Sequence, residues 1–254
     1  MILPARVPIL TYHSIDPSGS VLSVAPAAFR EHMQLLKRNG FNGIRFDRLI
    51  DALNGNAVLP PKPVVLTFDD AYVNFQEHAL PALREAGFFA TLFVVAGLVG
   101  KTNEWPGQGP SIPRMPLLDW PALREIAQAG IEIGSHTFTH PRLEQTSADR
   151  LEQEIAGSRR ALEEGAAAPV TTFAYPFGTH SPASVEIVRA HYRAACTTRM
   201  ATARTSHDRH LLPRIDAYYL REPRRYARFG TPLGDAYLGI RALGRAVRAL
   251  LVRS

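Results

Sequence analysis

Short apolar runs alternate with longer segments whose apolar positions recur every three or four residues, and the alternation continues over most of the chain. Pro8-Ile9-Leu10-Thr11-Tyr12-His13 reads as a first strand. The stretch 26–38 carries Phe29, Met33 and Leu36 on one helical face, and Asn39-Gly40 ends it. A strand over 41–46 and a short helix to Leu53 follow. Pro63-Val64-Val65-Leu66-Thr67-Phe68 is rich in β-branched residues and apolar throughout, as expected of a strand covered on both faces. A helix to Ala86, a strand over 90–95, a helix capped by Asp119 and ended by Gly130, and a strand over 131–134 come next. Ser147 opens a helix to about Glu164, 171–175 is a strand, Ser181 caps another helix, 192–197 is a late strand, and Ile215 lies in a short extended piece. Residues 97–116 are rich in Gly and Pro and form a long surface loop, a length often used for a lid. Repeated strand-then-helix order predicts an α/β fold around one parallel sheet, with chemistry at the C-terminal strand ends.

Composition narrows the class. A chain of 254 residues fits one α/β barrel, and 46% apolar residues can fill its core. No run of eighteen apolar residues exists, so a spanning helix is not expected. The first eight residues have neither a basic nor an apolar signal region, and the single cysteine, Cys196, allows no intrachain disulfide. A cytoplasmic protein is the expectation. The net charge of +6 resides entirely in residues 214–254, where nine arginines meet Asp216, Glu222 and Asp235. A charge-balanced body argues against a nucleic-acid-binding surface.

The candidate chemistry sits where the strands end. Asp69 and Asp70 close the run 63–68, and Ser135-His136-Thr137-Phe138-Thr139-His140 closes the run 131–134. A carboxylate and two neutral imidazoles can hold a divalent cation with a position left open, while the spare carboxylate takes a proton from water. Neighbouring residues of an extended chain point opposite ways, which suits two roles for the two acids. Pro141 disfavours helical geometry at His140, and no Glu follows His136, so the helical zinc-protease motif is excluded. Phe173-Ala174-Tyr175-Pro176-Phe177-Gly178 ends another strand in a sharp turn that could line a groove and offer a backbone N–H to an oxyanion. Trp105 and Trp120 are candidates for a sugar platform or for packing, and His180 is the one remaining histidine expected near the groove.

Thr67-Phe68-Asp69-Asp70, the 135–140 segment and the 173–178 segment resemble the three motifs of the NodB-like polysaccharide deacetylases, carbohydrate esterase family 4. The resemblance runs from His13 to Asp216. It implies a distorted, incomplete (β/α) barrel of the NodB-homology type, with Asp69 as general base and Asp70, His136 and His140 binding a divalent metal, usually Zn2+. It also implies that the Tyr175 backbone helps form an oxyanion hole. Two features depart from the common pattern: Thr171 and Thr172 stand where many members carry an arginine, and no Leu-x-His follows near the C-terminus. The poly-N-acetylglucosamine deacetylase type resembles this chain more closely. Its pattern makes His13 of Tyr12-His13-Ser14 the acid and sets Arg214 of Pro213-Arg214-Ile215-Asp216 against the base.

The expected function is therefore metal-dependent removal of an N-acetyl group from a sugar in a glycan or glycolipid. The rivals are deformylation of a lipid-linked sugar, an inactive glycan-binding protein on the same scaffold, and hydrolysis of a small cyclic amide. Residues 1–230 are expected to form the catalytic domain and 231–254 a basic amphipathic helix. In that helix Ile240, Leu243, Val247, Leu250 and Leu251 share a face opposite Arg241, Arg245 and Arg248. Such a helix either covers the barrel with its apolar side or rests on the inner face of an anionic membrane.

Overall fold

The computed structural model of the chain describes residues 6–251, the side chains of 246–251 excepted. Seven strands form a ring with all neighbours parallel. Their order is β2 (Ile9–Tyr12), β10 (Leu212–Asp216), β8 (Ala194–Met200), β7 (Thr172–Ala174), β6 (Glu132–Ser135), β5 (Thr91–Val94) and β4 (Pro63–Phe68). Pairing of β4 with β2, from Ile9 opposite Val65 to Tyr12 opposite Phe68, closes the ring. β3 (Asn42–Ile44) flanks the start of β4, and β1 (Arg6–Val7) pairs antiparallel with β9 (Ala203–Arg204). The result is a (β/α) barrel one strand short of eight, as the resemblance implies. The seam between β6 and β7 is the thinnest, with a single register pair, Ser135 opposite Phe173.

Helices cover the ring: α1 (Pro26–Arg38), α2 (Phe46–Leu53), α3 (Leu80–Ala86), α4 (Trp120–Gln128), α5 (Ala148–Glu152), α6 (Ser158–Ala166), α7 (Pro182–His191), α8 (Pro223–Tyr226) and α9 (Pro232–Leu251). α1 buries Phe29, His32, Met33 and Leu36, the spacing of one helical stripe. Asp119 caps α4 by accepting from the Ala122 N–H, and Ser181 with Ser184 forms a capping box on α7. Gly134 must lack a side chain, because a Cβ there would lie 2.5 Å from the Phe93 ring. Two features depart from the sequence reading. Phe75–Ala79 and Gln153–Gly157 wind as π-helical turns leading into α3 and α6. His32, which the apolar stripe of Phe29, Met33 and Leu36 does not include, is buried against Tyr226 with ring centroids 3.8 Å apart, and burial lowers its pKa to about 3.

Glu132, at the start of β6, is a buried carboxylate that joins three elements. It accepts hydrogen bonds from the hydroxyls of Thr91 on β5 and Thr172 on β7 and from the N–H of Asp47 on α2. Burial and then the Asp47 carboxylate raise its pKa to about 7.

α9 lies on the body by a face the periodicity does not select. Leu238 is buried, Tyr237 and Ala242 pack on the core, and Arg241 and Arg245 lie over the Tyr219 ring. Ile240 and Leu243, the described part of the apolar stripe, are 72% and 67% exposed and face outward. The side chains of Val247, Arg248, Leu250 and Leu251 are outside the described residues, as are residues 1–5 and 252–254. Among the described residues no helix is long and apolar enough to cross a membrane.

Candidate active site

The C-terminal ends of β2, β4, β6 and β7 deliver the motif residues to one end of the ring, and β10 contributes Arg214 from its interior. Asp69 follows β4 and donates its N–H to Tyr12 O, extending the ladder by one residue. The chain then turns through left-handed backbone at Asp70 (φ 74°) and Ala71 (φ 61°). Left-handed conformations recur at Thr137 (φ 69°), His140 (φ 62°) and Phe177 (φ 57°). Each costs a non-glycine residue on the order of 1–3 kcal/mol, a strain that the packed surroundings must over-determine. The turn at Asp70 also overrides the extended alternation expected of the two acids: both carboxylates are buried within the same site.

Asp69 is held by one guanidinium. Nη1 and Nη2 of Arg214 each donate to a carboxylate oxygen at 2.7 Å, Nη1 also donates to Thr67 Oγ1, and Nε donates to Thr197 O. Arg214 is only 1% exposed. Burial pushes the Asp69 pKa up, but the charges of Arg214 and His136 outweigh it and hold the carboxyl well below its usual range. His13 Nε2 lies 3.9 Å from Asp69 Oδ2. The His13 loop is pinned by Asn74, which accepts from the Ile15 N–H and donates to Ser14 Oγ, and by Asp16, which accepts from Ser23 Oγ.

Asp70, His136 and His140 converge, each buried, with ligand atoms all within 4.8 Å of one another. Asp70 Oδ1 lies 3.6 Å from His136 Nε2 and 3.5 Å from His140 Nε2. Those separations are long for hydrogen bonds, whereas two ligands of one tetrahedral zinc sit roughly 3.3 Å apart. Asp70 Oδ1 has no hydrogen-bond partner among the described residues. Burial raises its pKa and also keeps His140 neutral. A buried oxygen of this kind between two imidazole nitrogens is costly without a cation, so the set fits a divalent metal. His136 Nδ1 donates to Ala174 O at 2.7 Å, which leaves Nε2 as the free lone pair.

The histidine loop is fixed from below by Glu154, a residue the motifs do not flag. Its Oε2 accepts from the N–H groups of Phe138 and Thr139, and its Oε1 accepts from the Thr139 hydroxyl. Glu154 projects from the π-helical turn 153–157 and is buried. Only the π turn and the fold bring it there, so no local sequence signal marks it. Trp105, from the long loop 97–116, packs on His140 with centroids 4.2 Å apart, and Phe177 packs on the same ring at 4.8 Å. Trp120 instead fills space beside Gly165, where a Cβ would meet its ring. His180 reaches the Tyr175 ring at 5.4 Å.

One expectation is corrected. The Tyr175 N–H is not free for an oxyanion, because it donates to Cys196 O at 3.1 Å and continues the ladder between β7 and β8. Pro176 has no N–H, so the next donor along the turn is Phe177, whose backbone is left-handed.

A parallel barrel whose strand ends unite an acid–imidazole set able to hold a metal ion with a second, arginine-bound carboxylate has the arrangement of a hydrolase-like barrel. The family model for polysaccharide deacetylases matches residues 56–194, more than half of the chain, and the chain belongs to that family. It is 29% identical over 213 residues to the Bacillus subtilis (strain 168) protein YxkH, itself assigned to the polysaccharide deacetylases. That match covers 84% of this chain and 71% of YxkH. The Streptococcus pyogenes deacetylase PplD, solved with acetate, superposes with a TM-score of 0.74 at 28% identity, over 84% of this chain and 93% of PplD. The poly-beta-1,6-N-acetyl-D-glucosamine N-deacetylase of Escherichia coli (strain K12) is 27% identical over 135 residues, 51% of this chain and 20% of that protein.

Proposed function

We propose that this protein is a divalent-metal-dependent, zinc-preferring N-deacetylase acting on an N-acetylated sugar within a glycan. The observation that carries the reading is the separation of two carboxylates that are neighbours in sequence. Asp70 joins the two imidazoles, and Asp69 is withdrawn from them and clamped by Arg214. Asp70, His136 and His140 would hold the cation. When bound, it supplies Lewis acidity to the amide carbonyl and to a water. Asp69 accepts the proton of that water; Arg214 occupies one lone pair on each carboxylate oxygen and leaves others to accept. The Phe177 N–H, the next donor along the turn, would serve the oxyanion in place of Tyr175. His13, whose Nε2 lies 3.9 Å from Asp69 Oδ2, donates a proton to the departing nitrogen. The similarity to the Escherichia coli enzyme supports a polymer of N-acetylglucosamine as the first substrate to test.

The test is acetate release from N-acetylglucosamine oligomers by zinc-loaded protein, with Asp69→Asn as the control. The variant is expected to keep its zinc and its fold and to lose turnover. Turnover equal to wild type would overturn the assignment of the base, and glycan binding without turnover in the wild type would favour the inactive reading.

A further inference from the structure

On the rim of the same barrel end, α9 and the segment after β10 enclose a cleft of about 780 Å³. Its lining includes Arg221, Arg225, Arg241 and Arg245, against one carboxylate, Glu222. The guanidiniums lie over tyrosine faces: Arg221 over Tyr218 at 4.3 Å, Arg225 over Tyr237 at 5.4 Å, and Arg241 and Arg245 each over Tyr219 at 5.8 Å. A guanidinium stacked on a ring keeps its N–H edge available for a bidentate acceptor. Glu222 is committed to Arg224 and Arg225, and Arg245 approaches Asp216 at 3.9 Å. Neither Arg221 nor Arg241 has an ion-pair partner among the described residues, and both are exposed. Like charges do not gather in this way without cost, so the cluster is preorganised for an anion.

The cleft connects to the catalytic groups by direct contacts. Arg245 donates to Thr198 O, the Thr198 hydroxyl donates to Phe177 O, and the Phe177 ring packs on His140. Asp216, at its edge, lies two residues beyond Arg214 on one strand, about 7 Å along it. Ile240 lines the cleft and, with Leu243, continues an exposed apolar strip along α9.

We propose that this cleft binds a phosphate carried by the N-acylated glycan, so that a phosphorylated glycan is bound in preference to its neutral counterpart. The inference rests on the deacylase reading for its substrate, but the phosphate site itself can be tested without turnover. The phosphate can belong to a phosphodiester in a polymer or to a prenyl diphosphate whose chain runs along Ile240 and Leu243.

The experiment uses the zinc-loaded full chain and three synthetic amide-free disaccharides: neutral, phosphodiester-linked to glycerol, and diphosphate-linked to a ten-carbon prenol. Binding is followed by calorimetry at low and high salt. At low salt at least one phosphate-bearing probe is expected to bind about tenfold tighter than the neutral one, with most of the preference lost in 0.5 M salt, roughly the regime where surface charge is screened. A preference shared by both probes assigns the phosphate alone, and one confined to the prenol probe assigns the lipid-linked source. The doubly substituted Arg221→Gln/Arg241→Gln protein is expected to lose the preference. Equal binding of all three probes, or a preference that survives the double substitution, overturns the proposal. The N-acetylated counterparts report separately: acetate released from none of them refutes the deacylase reading while leaving the binding result intact.

Discussion

Arg214→Met removes the guanidinium from a site where both members of the pair are nearly inaccessible, with side-chain exposures of 0% for Arg214 and 3% for Asp69. Methionine keeps an apolar stem but lacks the guanidinium that lies over the Phe93 ring, and it leaves Asp69 as a buried carboxylate without its counter-charge. Breaking a buried pair from one side costs about 3–5 kcal/mol, because the orphaned charge keeps its desolvation penalty. For a chain of this size that corresponds to a fall in melting temperature of about 6–20 °C. The sign with pH follows from the direction of the shift. In the wild type the depressed Asp69 pKa contributes stability that is present above the unfolded carboxyl value near 4 and lost as pH falls through the folded value. Without Arg214, burial raises that pKa instead, and the variant sheds its penalty by taking up a proton. The gap between variant and wild type should therefore narrow from pH 7 to pH 5, measured by thermal unfolding at fixed zinc. The double variant Asp69→Asn/Arg214→Met removes both charges and should recover a large part of the loss. A single variant within 1 kcal/mol of wild type at pH 7 (an order-of-magnitude threshold set by exposed pairs), or a double variant no better than the single, refutes the closed, dry pair described above.

Replacing Glu154 by Gln should loosen the loop that carries His136 and His140 and weaken zinc binding about 10–100-fold, measured by competition with a chromophoric chelator; unchanged affinity would show that the loop holds itself. Asp70→Asn should abolish stoichiometric zinc binding in the same assay, whereas His13→Asn should retain zinc and lose turnover. Glu132 takes a proton in the folded state between its unfolded value and about 7, so stability should fall as pH rises through that window, by at most about 1.4 kcal/mol per pH unit. Glu132→Gln should flatten that slope in urea titrations at pH 5, 6, 7 and 8, and an unaltered slope would remove Glu132 as its source.

The elements with one-dimensional signals are legible in the sequence. β4 is a continuous apolar run, and α1 has a clean stripe with Asn39-Gly40 behind it; both coincide with the expected bounds. The convergence of Asp70, His136 and His140 was legible because they lie in short motifs at strand ends, and His13 and Arg214 are near Asp69 in space. Pro141 was informative too: it forbade helix at His140, which is left-handed. What failed to show depends on the third dimension. The Tyr175 N–H is spent on Cys196 because the β7–β8 ladder continues through it, and which residue lies opposite in the neighbouring strand is not written in the run 171–175. Glu154 reaches the histidine loop through a π turn, which has no residue signature. α9 rests Arg241 and Arg245 on the rings of Tyr219 and Tyr237, a contact that apolar periodicity counts as solvent.

The lone Ser135–Phe173 pair gives a further meaning to the imidazole beside it. With so little ladder joining β6 to β7, the His136 side chain, by gripping Ala174 O, acts as a stitch across the weakest joint in the ring. An ion captured by His136 on its other nitrogen would tighten that stitch. Amide hydrogen exchange at residues 133–136 and 172–175 would then slow together on loading, making the barrel's breathing a reporter of its own occupancy.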